Sequence, residues 1–426
     1  MRPTRLLNAS RAAALAGALA IAAAPAGVRA AVPPERLARA VAIVDSERVR
    51  LHVPGLAFAI VADGRVVEAR GFGVRDLRSG APVDTATVFP IGSCTKAFSA
   101  MAAIICQDQH RLALDDPPRN YLPWFRLANP QSDERVTIRD LLSHRTGLRA
   151  YADLAAEPGV LTREQYLRAA IGAKPACGLR EQFQYSNAAV SAAGEIVGRV
   201  QGTTWEHAIE RLLFEPLGMR RSVASLRDLG RFRDRAIGYE DAAHTTPVPP
   251  PASLDALGPA GSIGASVVDM TRWVRCLLDE GVFEGRRVVS AAGVRDAFTP
   301  HILARGTWHY GLGWVVHDWN GHGVIEHNGG SNGLSALVCM MPEQRLGFVI
   351  LMNASPNALN AIGHAGGLLW PVLLDEPGSE PTAAVAAAPS TPRSPTRRRS
   401  RRWTRCSRAC ATPRAARRSA TTARWS

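Results

Sequence analysis

Strand-forming sequence stands at both ends of the body of this chain and hardly at all between them. Near one end, GLAFAIVADGRVVEARGFGVRD (55–76) is two β-rich runs split by Asp63-Gly64, and Asp-Gly between such runs is a strong hairpin signal. Strand signals return with YGLGWVV, LSALVCMM and LGFVILMN, the last two separated by the turn PEQR at 342–345. The intervening residues, from about 115 to 300, read as helices and loops with turn clusters such as DDPPRN and TTPVPPPAS. One helix there, in GASVVDMTRWVRCLLDEG, opens on a Ser266-x-x-Asp269 capping box and stops at Gly281. Helical spacing of Leu37, Val41 and Val44 precedes the hairpin, and ALNAIGHAGGLLWPVLL closes the body as a helix. This order predicts an α/β fold of the α+β kind. An antiparallel sheet flanked by helices is completed by both ends of the mature chain and interrupted by an all-helical insertion.

The 426 residues carry a formal charge of +14, which taken whole would suggest nucleic acid. The distribution argues otherwise. Residues 1–30 hold four Arg and residues 391–426 hold twelve, with no acid in either segment, so the body between them sets 35 basic against 37 acidic residues. Its net field is close to zero, and no nucleic-acid partner is expected for the folded body. In the first thirty residues Arg2, Arg5 and Arg11 precede an apolar run from Ala12 to Ala24, and Val28 and Ala30 fit a cleavage site before Ala31. These are the features of a secretory signal peptide, which predicts a periplasmic or secreted protein with no transmembrane helix once the signal is removed. Residues 31–376 form the predicted folded body. Residues 377–396 are a Pro/Ala/Ser/Thr linker, and the acid-free, Arg-rich remainder to 426 is expected to be disordered. Either a basic arm or a GC-rich gene read in the wrong frame yields that composition. The sequence does not set the oligomeric state.

Seven cysteines (94, 106, 177, 276, 339, 406, 410) show no zinc-type spacing and, being odd in number, cannot all pair. Cys94 and Cys106 fall in an apolar segment and are expected to be small buried hydrophobes. His309, His317 and His322 match no ligand pair, so no metal is expected.

FPIGSCTKAFSA (89–100) carries one of only two lysines among 51 basic residues, the other being Lys174. Where any cation would serve, this chain uses Arg. An Arg stays protonated, whereas a lysine amine can give up its proton when desolvated or set beside another cation. Ser93 and Lys96 are three apart where the pattern turns helical, so their side chains share a face at the helix N-terminus. The positive end of the helix dipole disfavours protonated Lys, and first-turn N–H groups can receive a developing oxyanion. A base-assisted serine nucleophile follows. By itself the Ser-x-x-Lys spacing is weak, and an N-cap Ser explains it equally.

Two further stretches add weight. FQYSNAAV places Tyr185-Ser186-Asn187 at a turn before another apolar run, and IEHNGGSNG puts His327-Asn328-Gly329 at a strand edge in the returning sheet. With LLSHRTGL (141–148), YSNAAVSAAGEIV (185–197), PAGSIGASVVDMTRW (259–273) and YGLGW (310–314), the chain from about 38 to 372 resembles the serine β-lactamase and penicillin-binding-protein superfamily. The likeness is to its class C β-lactamase and family VIII carboxylesterase branch. The resemblance implies a β-lactamase/transpeptidase-like fold and a serine hydrolase working through an acyl-enzyme on Ser93, with no metal or other cofactor. In that scheme Lys96 takes the serine proton, and Tyr185 acts with it and protonates the leaving group. Asn187 bonds Lys96 and a substrate carbonyl, and the N–H groups of Ser93 and Gly330 form the oxyanion hole. The third motif departs from the β-lactamase pattern, where Lys-Thr-Gly supplies a cation for the substrate carboxylate. By the same resemblance His327, with Gly329 and Gly330, would line the substrate-binding edge, and a histidine there is a poor carboxylate anchor. That favours a small carboxylic ester, with a D-amino peptide or a β-lactam as the alternative amide substrates. A non-catalytic relative binding peptidoglycan fragments or a partner would be expected to lack one of these chemical groups, and none is missing. GGSNG (329–333) also fits a nucleophile elbow, but that needs a helix after the serine, and LSALVCMM reads as a strand.

Overall fold

The computed structural model describes residues 32–149, 161–240, 243, 245–248, 255–354 and 367–376. The signal-peptide segment and the linker with its Arg-rich tail lie outside the described residues, as does the first half of the closing helix. Helix α1 (Pro34–Arg50) leads into β1 (Gly55–Ala62), β2 (Arg65–Asp76) and β3 (Ala81–Pro82). Helices α2 (Thr95–Asp108), α3 (Asn187–Val200) and α4 (Val267–Leu278) are the principal helices of the middle region. The chain then returns through β4 (Ile302–Arg305), β5 (Trp308–Tyr310), β6 (Val315–Trp319), β7 (His322–Ser331), β8 (Leu334–Met341) and β9 (Leu346–Met352).

These strands form one nine-stranded sheet in the order β4-β5-β6-β7-β8-β9-β1-β2-β3. Both ends of the body do complete it: β1 pairs antiparallel with β9, from Leu56 opposite Met352 to Ala62 opposite Leu346. The seam is central, so β1, β8 and β9 are buried along their whole length. Strands covered on both faces need apolar residues at every position, which is why LSALVCMM and LGFVILMN lack polar alternation. On one face Leu56, Phe58 and Ile60 pack with Ala40 and Val44 of α1 and with Leu369 and Trp370 of the helical residues 367–374. On the other, Ala57, Ala59 and Val61 join the large core beneath α2, α3 and α4.

The insertion is predominantly helical. It also carries strands of two or three residues, of which Gly264–Ser266 pairs with Val88–Pro90 on one side and with Ser222–Val223 on the other. Pairings this short leave no periodicity to read. Two local readings are refined. Ser266 caps α4 by accepting from the Asp269 N–H, but the Asp269 carboxylate accepts from Arg221 N (2.6 Å) and Ser222 Oγ (2.8 Å) rather than closing a capping box. YGLGWVV is not one strand, because residues 311–314 turn between β5 and β6, with Gly313 at φ 76°. Among the described residues no helix is long and apolar enough to cross a membrane, and five described cysteines are free, with Cys94 and Cys106 buried as expected.

Candidate active site

Ser93 lies in a 3-10 turn (Gly92–Cys94) that runs directly into α2, and Lys96 is one residue inside that helix. The helix is buried from Thr95 to Cys106 and fixed by Phe98, whose ring stacks on Trp273 of α4 at 4.2 Å. Lys96 is fully buried, with Nζ 3.0 Å from Ser93 Oγ and 2.8 Å from the carbonyl oxygen of Ala260. The segment PAGSI reaches α2 through two more bonds. Ser99 Oγ donates to Pro259 O at 2.6 Å, and Ile263 N–H donates to Thr95 Oγ1 at 3.1 Å. An amine that gives one N–H to a fixed carbonyl can present its lone pair to the Ser93 hydroxyl. Tyr185 stands just before α3, its ring centroid 4.7 Å from Lys96 Nζ, and Asn187 is the first residue of that helix. Ser186, between them, caps α3 by accepting from the Ala189 N–H at 3.3 Å.

Strand β7 brings the third motif to the same place. A Cβ on Gly329 would overlap the carbonyl oxygen of Ile91, and one on Gly92 would lie 2.7 Å from Gly330 N. Only glycines let β7 press on the turn that holds Ser93. Cys94 Sγ adds a tie by donating to His327 O at 3.2 Å. The amides of Ser93 and Gly330 therefore belong to two backbone segments in direct contact. GGSNG is a hairpin corner between β7 and β8, without the helix an elbow requires.

The His327 ring, read from the sequence as facing substrate, sits beneath the site, 2% exposed, with both nitrogens engaged. Its Nδ1–H donates to Asn328 O at 2.6 Å, which leaves Nε2 to accept from the Tyr310 hydroxyl at 2.8 Å. Burial, reinforced by repulsion from Lys96 whenever that amine is protonated, pushes its pKa down to about 4. Burial, with further repulsion from Tyr185 and Cys94, holds the Tyr310 phenol well above its ordinary value, so it remains a donor. His327 is thus a neutral strut between β7 and β5.

His144 and Tyr310 were quoted above only as parts of flanking motifs, yet they pack against the site. His144 is fully buried, its ring 4.4 Å from that of Tyr185 and 4.7 Å from that of Tyr310. The Ser186 N–H donates to its Nδ1 at 3.1 Å, so the proton is on Nε2, which has no partner among the described residues. Burial and then the nearby Lys96 keep its pKa well below the ordinary value. Asp140 anchors this loop. Its buried carboxylate accepts from Arg145 Nε (2.5 Å) and Arg180 Nε (2.9 Å) and closes a capping box with Thr137.

Known proteins share the sequence and the fold of this chain. The family model described as Beta-lactamase matches residues 38–366. Penicillin-binding protein 4 of Amycolatopsis lactamdurans is 30% identical over 319 residues, covering 72% of this chain and 83% of that protein. An unguisins hydrolase of Aspergillus violaceofuscus is 27% identical over 347 residues, covering 71% of this chain but 59% of its own length. The octameric penicillin-binding protein homologue from Pyrococcus abyssi superposes with a TM-score of 0.67 at 26% identity, over 80% of this chain and 78% of that one. The chain belongs to the Beta-lactamase family, and it is a serine hydrolase acting on esters or amides.

Proposed function

We propose that Ser93 is the acylated nucleophile and that the preferred substrate is a small, uncharged carboxylic ester. The observation that carries the mechanism is the 3.0 Å separation of Lys96 Nζ from Ser93 Oγ, with the amine fixed on Ala260 O. Lys96 takes the proton as Ser93 Oγ attacks the carbonyl carbon, and the N–H groups of Ser93 and Gly330 receive the oxyanion. The proton passes by way of Tyr185 to the departing alkoxide, and Asn187 orients the substrate carbonyl. Water, deprotonated by the same pair, then releases the acid and restores Ser93. The ester preference rests on His327: where β-lactamases hold a cation, this chain has a buried neutral ring. An amide reading, a D-amino peptide or a β-lactam, is supported by the 30% identity to a penicillin-binding protein. Residues 1–30 support export to the periplasm or beyond.

The test is intact-mass spectrometry and turnover with p-nitrophenyl acetate and butyrate, a D-alanyl peptide and benzylpenicillin, comparing wild type with Ser93→Ala. Ester turnover that needs Ser93 and exceeds amide turnover supports the reading. A Ser93-dependent adduct with benzylpenicillin or the peptide alone replaces ester by amide, and no Ser93-dependent product with any of them removes the hydrolase assignment of this serine.

A further inference from the structure

The charge of the body balances overall, but it is not evenly spread. A cavity of 690 Å³ opens at the far end of α2, lined by Arg111, Arg211, Arg286 and Arg287 together with Gln109 and Gln201, and no Asp or Glu lines it. Ile105, near the last turn of α2, also lines it, so about 18 Å of helix separates it from Ser93. Elsewhere arginines meet carboxylates: Arg139 with Asp296, Arg145 and Arg180 with Asp140, Arg163 with Glu206. None of the four cavity arginines forms an ion pair among the described residues.

Three of them are nevertheless held in place, all by neutral acceptors. Arg111 Nη1 donates to Val200 O at 2.9 Å, and Arg287 Nη1 donates to Glu280 O at 2.9 Å and Val289 O at 3.1 Å. Arg211 Nη2 donates to Gln201 Oε1 at 2.7 Å, and Gln201, 8% exposed, is itself fixed by donating to Gln109 Oε1 at 2.8 Å. Each guanidinium has five N–H donors, and these bonds occupy only one nitrogen of each fork. The site therefore presents oriented donors and uncompensated charge around one concavity of ordinary ligand size. Because Arg is the default cation of this chain, the weight lies on this placement and not on residue type.

We propose that this cavity is a second, non-catalytic site for a ligand bearing phosphate with at least two negative charges. Planar guanidinium forks match phosphate oxygens two at a time, and clustered like charges are relieved by an anion. Pyrophosphate is the probe for the soluble form of this chemistry, and vesicles containing phosphatidic acid are the probe for a lipid headgroup.

Titration calorimetry of the full chain with inorganic pyrophosphate is expected to give saturable binding that weakens as NaCl is raised from 50 to 300 mM. The Arg211→Ala/Arg287→Ala double variant is expected to bind at least tenfold more weakly while hydrolysing esters at the wild-type rate. Comparing the two full chains cancels any contribution of the Arg-rich tail. Pyrophosphate binding without vesicle retention assigns a soluble phosphate, and vesicle retention lost in the double variant assigns the headgroup. Binding of either probe that survives the double substitution, or no binding of either, overturns the proposal; circular dichroism of the variant excludes misfolding as the cause of a loss.

Discussion

Replacing Lys96 by Arg keeps a cation on a long side chain but removes the lone pair that Ser93 needs, since a guanidinium does not give up its proton. Acylation by p-nitrophenyl butyrate, read as the burst of p-nitrophenolate, is expected to fall by at least about 10³-fold in Lys96→Arg, within the range by which base catalysis accelerates such steps. A burst close to wild type would show that Lys96 serves position or charge only. His327 makes the opposite demand, that a ring stay neutral. Its folded pKa of about 4 lies below the unfolded value of about 6.5. The unfolded chain therefore binds the extra proton more readily. This contribution to stability is complete above pH 6.5 and declines as pH falls towards 4. His144, also depressed by burial, acts in the same direction. Urea midpoints are expected to drop between pH 7 and 4.5, and less steeply in His327→Gln. A His327 ring signal titrating near 6.5 by NMR would overturn this account.

Contacts between whole elements hold the site together, and the Gly329 approach is the tightest of them. Gly329→Ala would force β7 off the Ile91–Ser93 backbone, separating the amides of Ser93 and Gly330. Ester kcat/KM is expected to fall at least about 10²-fold, the scale of losing one oxyanion donor. An alanine variant of full activity would mean that Gly330 contributes nothing to the hole. The Asp140 carboxylate holds another junction, the loop carrying His144. Burial alone would raise its pKa, but Arg180 and Arg145 hold it below the ordinary carboxylate range. Asp140→Ala strands two guanidinium groups, of which Arg145 is mostly covered and Arg180 reaches solvent. The cost is expected at about 3 kcal/mol by urea denaturation, and a change below about 1 kcal/mol would mean that water replaces the carboxylate. Local signals of this kind were legible where the chain writes them locally: Ser93 and Lys96 one helical turn apart, the turn before α3, the Asp63-Gly64 corner. His144 and the Tyr310–His327 bond were not, because their partners are far along the chain and only the folded sheet decides which side of β7 is covered.

The whole molecule is organised by the seam between β1 and β9, which joins residues nearly three hundred positions apart at the middle of the sheet. The sequence order of elements was enough to read this seam, since no other place in the chain could supply the missing strands. It could not reveal the short strand Gly264–Ser266, which ties Ser222–Val223 and the rest of the insertion to Val88–Pro90 and whose pairing is set by packing rather than pattern. Such a seam makes the sheet an all-or-none structure. Until residues 346–352 are present, β1 has a partner on one side only, and Phe58 and Ile60 lack the Phe348 and Ile350 surface they pack on. Two buried strand faces then lie open, which a marginally stable domain does not survive. A chain ending at Met341 is expected to be insoluble or to lack near-UV dichroism. One ending at Glu376 retains every described strand and the helical residues 367–374, and is expected to match the full chain in thermal midpoint and ester turnover. A folded, active product ending at Met341 would refute the central role of the β1–β9 pairing, and an unfolded product ending at Glu376 would show that the Arg-rich segment beyond it contributes to the body.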